Sequence, residues 1–95
     1  MNVVNVYHVI VMGLIMNFGE YCRQQITKEG KTITWLANQI GAHPSLIVKW
    51  RTRGSNPKVE YFLKICLVLA ILQGRPINGI IEEAAKSMKI DIKLA

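Results

Sequence analysis

The sequence predicts a mainly helical fold, a bundle of five α-helices with short β-strands at the two ends of the chain. Apolar residues recur at helical spacing through five segments between residues 17 and 88. Glycine, proline and good N-cap residues separate these segments. The outer segments are instead rich in Val and Ile or alternate between apolar and polar residues, which is typical of strands.

Length and charge narrow the classes of protein. The chain has 95 residues, which suffices for one domain with a modest core. Twelve Lys and Arg against six Asp and Glu give a net charge of +6. This surplus favours a polyanionic partner, either nucleic acid or an acidic membrane surface. We expect an apolar extension over residues 1–15, a helical domain over 16–88 and a strand over 89–95.

The sequence shows no arrangement of residues that is typical of a catalytic site or of a metal site. Cys22 and Cys66 are far apart and the chain has two histidines, so no zinc-ligand set can be assembled, and both thiols are expected to be buried and reduced. No Ser-His-acid set, carboxylate pair or glycine-rich phosphate loop is visible. The sequence therefore predicts a binding protein without cofactor or metal rather than an enzyme.

The N-terminal segment has no charged residue before Glu20. It lacks the basic leading region and cleavage site of an export signal, and its apolar run is shorter than the ~18 residues that a membrane span needs. We therefore predict a cytoplasmic protein. Met16 is an alternative start, so residues 1–15 are either an added element or the product of an upstream start codon.

Strands are predicted at both ends. Val and Ile crowd residues 2–11, and "KIDIKLA" at 89–95 alternates so that Ile90, Ile92 and Leu94 share a face. Because an isolated strand leaves backbone groups unpaired, we expect these strands to pair with each other, within one chain or across a dimer.

The first three helices have clear boundaries. The first is predicted over 17–28, with Phe18, Cys22 and Ile26 on one face and a stop at Gly30. Thr32 is a good N-cap for the second, which ends at Gly41. The third is predicted over 44–52, because proline suits the first helical position. Core positions of the second helix are Ile33, Leu36, Ala37 and Ile40.

Two further helices complete the bundle. The fourth is predicted over 58–72 and the fifth, after "GRP", over about 77–88. The predicted core positions are Val59, Phe62, Leu63, Cys66, Leu69 and Ala70 in the fourth helix and Ile77, Ile80, Ile81, Ala84 and Met88 in the fifth. Residues 65–72 are apolar all round, so Leu67, Val68 and Ile71 are expected to meet another chain or the terminal strands. A homodimer through helix 58–72 and the terminal strands is the resulting hypothesis.

The second and third helices are joined by a tight glycine-containing turn and followed by a basic loop, which is the layout of a helix-turn-helix. Residues 31–58 contain five Lys and Arg and no Asp or Glu. The segment "TITWLANQIGAHPSLIVKWRTRGSNP" resembles the lambda-repressor-like family, the Cro and phage-repressor type of helix-turn-helix. The resemblance covers residues 17–72 and depends on Leu36, Ala37, Ile40, Gly41, Ile47, Trp50, Asn56 and Pro57.

This resemblance implies an all-helical bundle that binds operator DNA, commonly as a dimer, with the third helix reading bases. The chain departs from the family pattern in three places. Ile33 replaces the usual phosphate-binding Gln, the glycine after the recognition helix comes one residue late at Gly54, and Leu46 and Val48 replace residues that are often polar.

Site residues follow from the expected geometry of helix 44–52. Ile47 and Trp50 should face inward and anchor the helix. The candidates for reading base edges are Pro44, Ser45, Val48 and Lys49, where Val48 would contact thymine methyl groups. The candidates for binding phosphate are Lys31, Thr32, Arg51, Arg53, Ser55 and Lys58. Leu46 is either a further apolar contact or core, His43 is either an N-cap or a phosphate contact, and Trp35 is unassigned.

Three functions compete. The first is a sequence-specific regulator of transcription that binds double-stranded DNA, acting as a dimeric repressor. The second is a helix-turn-helix scaffold reused for protein contact, as in an antitoxin or a phage-encoded inhibitor, with Leu46 and Val48 as the docking patch. The third is peripheral membrane association through residues 3–15.

Overall fold

A computed structural model describes residues 17–90, and within them the chain folds into five α-helices and no strand. The helices are α1 (Phe18–Lys28), α2 (Ile33–Ile40), α3 (Pro44–Arg53), α4 (Val59–Gln73) and α5 (Ile77–Ser87). The prediction of a mainly helical domain is confirmed. The predicted strand over 2–11 and residues 91–95 of the predicted C-terminal strand lie outside the described residues.

Local side-chain hydrogen bonds start the first three helices. The Asn17 Oδ1 accepts from the Glu20 N–H at 2.9 Å, and the Thr32 Oγ1 accepts from the Trp35 N–H at 3.1 Å. His43 Nδ1 accepts from the Ser45 N–H at 3.1 Å, so the imidazole is an N-cap. Each bond satisfies a backbone donor that has no partner inside the helix.

Glycines in the left-handed conformation are the C-caps of α2, α3 and α4. Gly41, Gly54 and Gly74 have φ values of 71°, 67° and 62°, which residues with a Cβ rarely adopt. Because Gly54 is the C-cap of α3, the helix extends to Arg53, one residue beyond the prediction. Lys58 is the N-cap of α4 rather than its first residue, so this helix is offset by one residue at each end from the predicted 58–72.

One core joins all five helices, and α1 contacts each of the other four. The Phe18 ring of α1 lies 5.5 Å from the Trp50 ring of α3 and 5.5 Å from the Phe62 ring of α4. The largest fully buried side chains are Phe18, Ile26, Leu36, Ile40, Ile47, Ile65, Leu69, Ile80, Cys22 and Cys66. Burial raises the pKa of both thiols, that of Cys66 to about 11, as expected for cysteines that act as small apolar core residues.

The predicted core face of α4 is wrong at its N-terminal end. Val59 and Leu63 were expected in the core, but their side chains are 73% and 44% exposed. The buried face consists of Ile65, Cys66 and Leu69, together with the partly buried Phe62 and Ala70. Because residues 65–72 of α4 are apolar on every side, the hydrophobic periodicity of the helix does not identify the face that packs inward.

The C-terminal strand predicted over 89–95 is wrong for its first two residues, Lys89 and Ile90. Met88 and Lys89 form a turn in which Lys89 adopts a φ of 60°, and the Ile90 N–H donates to the Ala85 carbonyl at 3.1 Å. Lys89 and Ile90 therefore close the helix instead of starting a strand, because their backbone groups satisfy the last carbonyls of α5. Within residues 17–90 no helix is long and apolar enough to cross a membrane.

Candidate nucleic-acid interface

Helices α2 and α3 are joined by the three-residue turn 41–43. Gly41 adopts the left-handed conformation, and the Ala42 N–H donates to the Ala37 carbonyl at 2.9 Å. Pro44 then begins α3 with a fixed φ and no unpaired N–H. The turn therefore separates α2 from α3 by only three residues. The start of α3 lies at the surface of the bundle, where Ser45 is exposed.

The rear of α3 is anchored in the core. Ile47 is fully buried and Trp50 is 2% exposed. The Trp50 ring contacts Phe18 edge-on and lies 6.2 Å from the Tyr61 ring. Leu46 is half-buried and packs against the same cluster, so it contributes to the core more than to an outward patch. These contacts determine which side of α3 faces solvent.

The base-reading candidates occupy the opposite side. Ser45, Val48 and Lys49 are exposed, and Pro44 is half-buried at the start of the helix. The Ser45 hydroxyl lies 2.8 Å from His43 Nδ1, so it has a local polar partner in the capping turn. Val48 is 45% exposed, which leaves a methyl-bearing apolar surface on this side of α3. Together these residues form the outward face of α3.

The start of α1 braces the end of α3. A Cβ added at Gly19 would lie 2.2 Å from the Arg51 backbone nitrogen, so the two helix backbones are in contact at this crossing. The Asn17 amide Nδ2 donates to the Arg51 carbonyl at 2.8 Å. Asn17 thus caps α1 with its oxygen and satisfies a terminal carbonyl of α3 with its nitrogen.

Arg51 has a protein partner that the sequence did not reveal. Its Nε lies 3.0 Å from Glu20 Oε2, and the guanidinium side chain is 49% exposed. Hydrogen bonding from Arg23, together with the charges of Arg23 and Arg51, lowers the pKa of Glu20 against the opposing effect of burial. Arg51 therefore links α3 to α1 with one edge and presents the other edge to solvent.

The phosphate-binding candidates at the start of α2, Lys31 and Thr32, also make contacts within the protein. The Thr32 hydroxyl accepts the Trp35 N–H as the N-cap, and the Lys31 ammonium lies 5.1 Å from the centre of the Trp35 ring. A cation placed over an indole face is attracted by it. Both Lys31 and Thr32 are exposed, so a ligand can reach them.

The remaining phosphate candidates, Arg53, Ser55 and Lys58, lie at the end of α3 and in the loop that follows it, close to the base-reading candidate Lys49. Lys49, Ser55 and Lys58 line an open groove of about 410 Å³ between α3 and the start of α4. Arg53 is exposed in the last turn of α3, next to the left-handed Gly54. Among the described residues, Lys49, Arg53 and Lys58 make no ion pair, and no acidic residue occurs between 31 and 58. The surface around this groove is therefore positively charged.

Sequence reasoning missed two features of the site, the Glu20–Arg51 pair and the helix crossing at Gly19. The pair joins residues far apart in the chain, so no local pattern indicates it. Gly19 did have a signal, because glycine inside a helix costs about 1 kcal/mol relative to alanine and often indicates a close approach of another backbone.

No protein-family model matches the chain, and no curated protein or solved structure matches it. In the part of the chain that the structure describes, no group of three or more His, Cys, Asp or Glu side chains could bind a metal ion. A functional assignment therefore depends on the geometry and charge of the chain's own residues.

Proposed function

We propose that the chain is a sequence-specific regulator of transcription that binds double-stranded DNA in the cytoplasm. In this proposal it is a binding protein and not an enzyme, α2 and α3 are a lambda-repressor-like helix-turn-helix, and α3 enters the major groove. The observation that supports it best is the two-sided character of α3. The helix is anchored behind by Ile47 and Trp50, and it presents Ser45, Val48 and Lys49 to solvent.

The dimensions and chemistry of α3 suit this role. The major groove of B-DNA admits an α-helix, and residues in the first turns of such a helix reach base edges. Lys49 can donate to guanine acceptors, while Val48 can contact a thymine methyl group, which requires only an apolar surface. Base reading in this proposal is assigned to Pro44, Ser45, Val48 and Lys49.

Phosphate binding is assigned to the cations around α3. Arg53 and Lys58 lie at the exposed end of α3 and in the loop that follows, with Ser55 between them. Arg51 contributes the edge of its guanidinium that Glu20 does not occupy, and Lys31 and Thr32 contribute at the start of α2. Neutralised phosphates release counterions, so affinity should fall steeply as salt increases.

The test removes two exposed cations from the interface. In the double variant Lys49→Ala with Arg53→Ala, we expect weaker binding to duplex DNA and a shallower salt dependence, its slope reduced by roughly 0.9 for each phosphate that is no longer neutralised. The matched control is Lys64→Ala with Lys86→Ala, which removes two exposed lysines from α4 and α5. Fluorescence anisotropy over a salt series measures both slopes. Equal slopes for the two double variants would show that α3 is not the DNA-binding face.

A dimer is part of the same proposal. Leu67 and Ile71 on α4 are 50% and 82% exposed, and they lie one helical turn apart on the same face. We propose that this face packs against its copy in a second chain. A twofold dimer should then select, from a pool of random duplexes, an inverted repeat with half-sites about 34 Å apart.

A second candidate function has its own supporting observation. Val48 is 45% exposed on α3, so the outward face is less polar than that of a typical DNA-reading helix. A helix-turn-helix scaffold that docks a protein through Val48, with weak or no DNA binding, would use such a surface. Retention of random duplex in a gel shift at low salt supports the DNA-binding proposal, whereas no retention supports this alternative.

A further inference from the structure

An apolar groove of about 460 Å³ lies between the first turns of α4 and the end of α5. Val59, Phe62 and Leu63 form one wall, and Ile81, Met88 and Ile90 form the other. No charged side chain of the described residues lines the groove. A surface of this kind stabilises the protein when apolar side chains cover it.

Several apolar side chains in the groove walls are exposed to solvent. Val59, Leu63 and Ile90 are 73%, 44% and 45% exposed, and they are grouped around one opening. Removing apolar surface from water is favourable. Covering this opening would therefore stabilise the fold.

The described residues at both boundaries have contacts that relate them to the groove. At the N-terminal side, Asn17 contacts the end of α3, and the Phe18 ring lies 5.5 Å from the ring of Phe62 in the groove wall. At the C-terminal side, Ile90 is itself part of the opposite wall. Five extended residues span up to about 17 Å, so the chain beyond either boundary has the length to approach the groove.

The two segments differ in how well they suit an uncharged groove. Residues 1–16 contain no Lys, Arg, Asp or Glu and are rich in Val, Ile, Leu and Met. Residues 91–95 are fewer, and they include Asp91 and Lys93, whose charges are costly to remove from water. The longer, uncharged segment is therefore the better complement to the groove.

We propose that residues 3–15 of the same chain bind in the groove between α4 and α5 and cover Val59, Leu63 and Met88. The segment is connected to α1 through Asn17 and Phe18, and the Phe18 ring lies 5.5 Å from that of Phe62 in the groove wall. Its binding is therefore intramolecular and needs no second partner at high concentration. This assignment does not depend on DNA binding. It leaves Leu67 and Ile71, further along α4, available for contact with a second copy.

Photocrosslinking in the full-length chain tests the proposal. Tyr7, in the middle of the segment, is replaced by the photoreactive aromatic amino acid p-benzoylphenylalanine. After irradiation, mass spectrometry should place the crosslinks on groove residues of α4 and α5. Mixing ¹⁵N-labelled and unlabelled chains distinguishes crosslinks within one chain from those between chains, and we expect crosslinks within one chain.

A matched pair of variants tests the site. Leu63 and Leu67 are 44% and 50% exposed on the same side of α4, but only Leu63 lines the groove. Leu63→Glu should abolish the crosslink and Leu67→Glu should retain it, with far-UV circular dichroism confirming that both variants are helical. Crosslinks outside the groove, crosslinks only between chains, no crosslink, or equal loss in the two variants would each overturn the proposal. The crosslink map of the otherwise unchanged chain decides the question even where a variant does not fold.

Discussion

A single polar side chain can join two helices, and Asn17 does so where α1 meets α3. Its oxygen caps α1, and its nitrogen donates to the Arg51 carbonyl at 2.8 Å. One turn further along α1, the Glu20 carboxylate binds Arg23 and Arg51 while its side chain is only 13% exposed. These neighbouring residues connect the proposed recognition helix to the rest of the domain.

At the residue scale, Glu20 should make stability depend on pH. Because its arginine partners lower its pKa from the ordinary 4.5, its stabilisation is present above that value and is lost as the pH falls through the lower folded-state pKa. We expect Glu20→Gln to lose about 1 kcal/mol at neutral pH and to show a smaller fall in Tm on acidification than the unchanged chain. Thermal melts at about pH 7 and about pH 3 measure both effects.

The control for this prediction is Glu82→Gln. Glu82 pairs with Lys86 across a single helical turn, and both side chains are more than 70% exposed. Such a pair contributes little, so the control should melt like the unchanged chain. A loss of stability in Glu82→Gln as large as that in Glu20→Gln would contradict the role assigned to Glu20.

At the element scale, the packing of α1 on α3 depends on the absence of a side chain at Gly19. A Cβ there would lie 2.2 Å from the Arg51 nitrogen and 2.6 Å from the Trp50 carbonyl carbon, both of which belong to the backbone of α3. Backbone cannot rotate away as a side chain can. An added methyl group must therefore separate the two helices.

Gly19→Ala is thus expected to destabilise the fold by about 1–3 kcal/mol or more, although alanine is the better helix former. Gly79→Ala in α5 is the matched control, because its nearest neighbour would be the end of the Arg75 side chain at 3.8 Å. That change should stabilise the fold by about 0.5–1 kcal/mol. Urea unfolding followed by circular dichroism measures the stability of both variants. A Gly19→Ala variant as stable as Gly79→Ala would contradict the close contact between the backbones of α1 and α3.

At the scale of the whole molecule, α4 has more apolar surface than one core absorbs. Its inner face packs against the other helices through Ile65, Cys66 and Leu69, and its outer face still exposes Leu67 and Ile71. A chain with a net charge of +6 that exposes such a face has both a basic surface and an apolar one. In the proposed function, the basic surface binds DNA and the apolar one mediates self-association.

If the proposed dimer forms through α4, Ile71→Glu should shift the chain from dimer to monomer. Each dimer would lose two buried isoleucines, at about 1.5–3 kcal/mol each, so the dissociation constant should rise by roughly a hundredfold or more. Sedimentation velocity measures the change, and Asn38→Glu on the exposed side of α2 is the control for the added charge. Sedimentation of the unchanged chain as a monomer at tens of micromolar would exclude a dimer through α4.

The sequence by itself determined the features that depend on neighbouring residues. The starts of α2 and α3 at Thr32 and Pro44 and the end of α2 at Gly41 were predicted, because caps and left-handed glycines act within one turn of the chain. The inward orientation of Ile47 and Trp50 was also predicted, since residues three apart share a face of a helix and α3 must be anchored to its own domain.

The tertiary structure decided the features that depend on residues far apart in the chain. The inward face of α4 could not be predicted from an all-round apolar sequence, and Val59 and Leu63 proved to be exposed. Arg51 could be identified as a cation but not as the partner of Glu20, because that contact exists only when α1 crosses α3 at Gly19. Packing between helices determines these contacts, and local sequence patterns do not specify which residues meet.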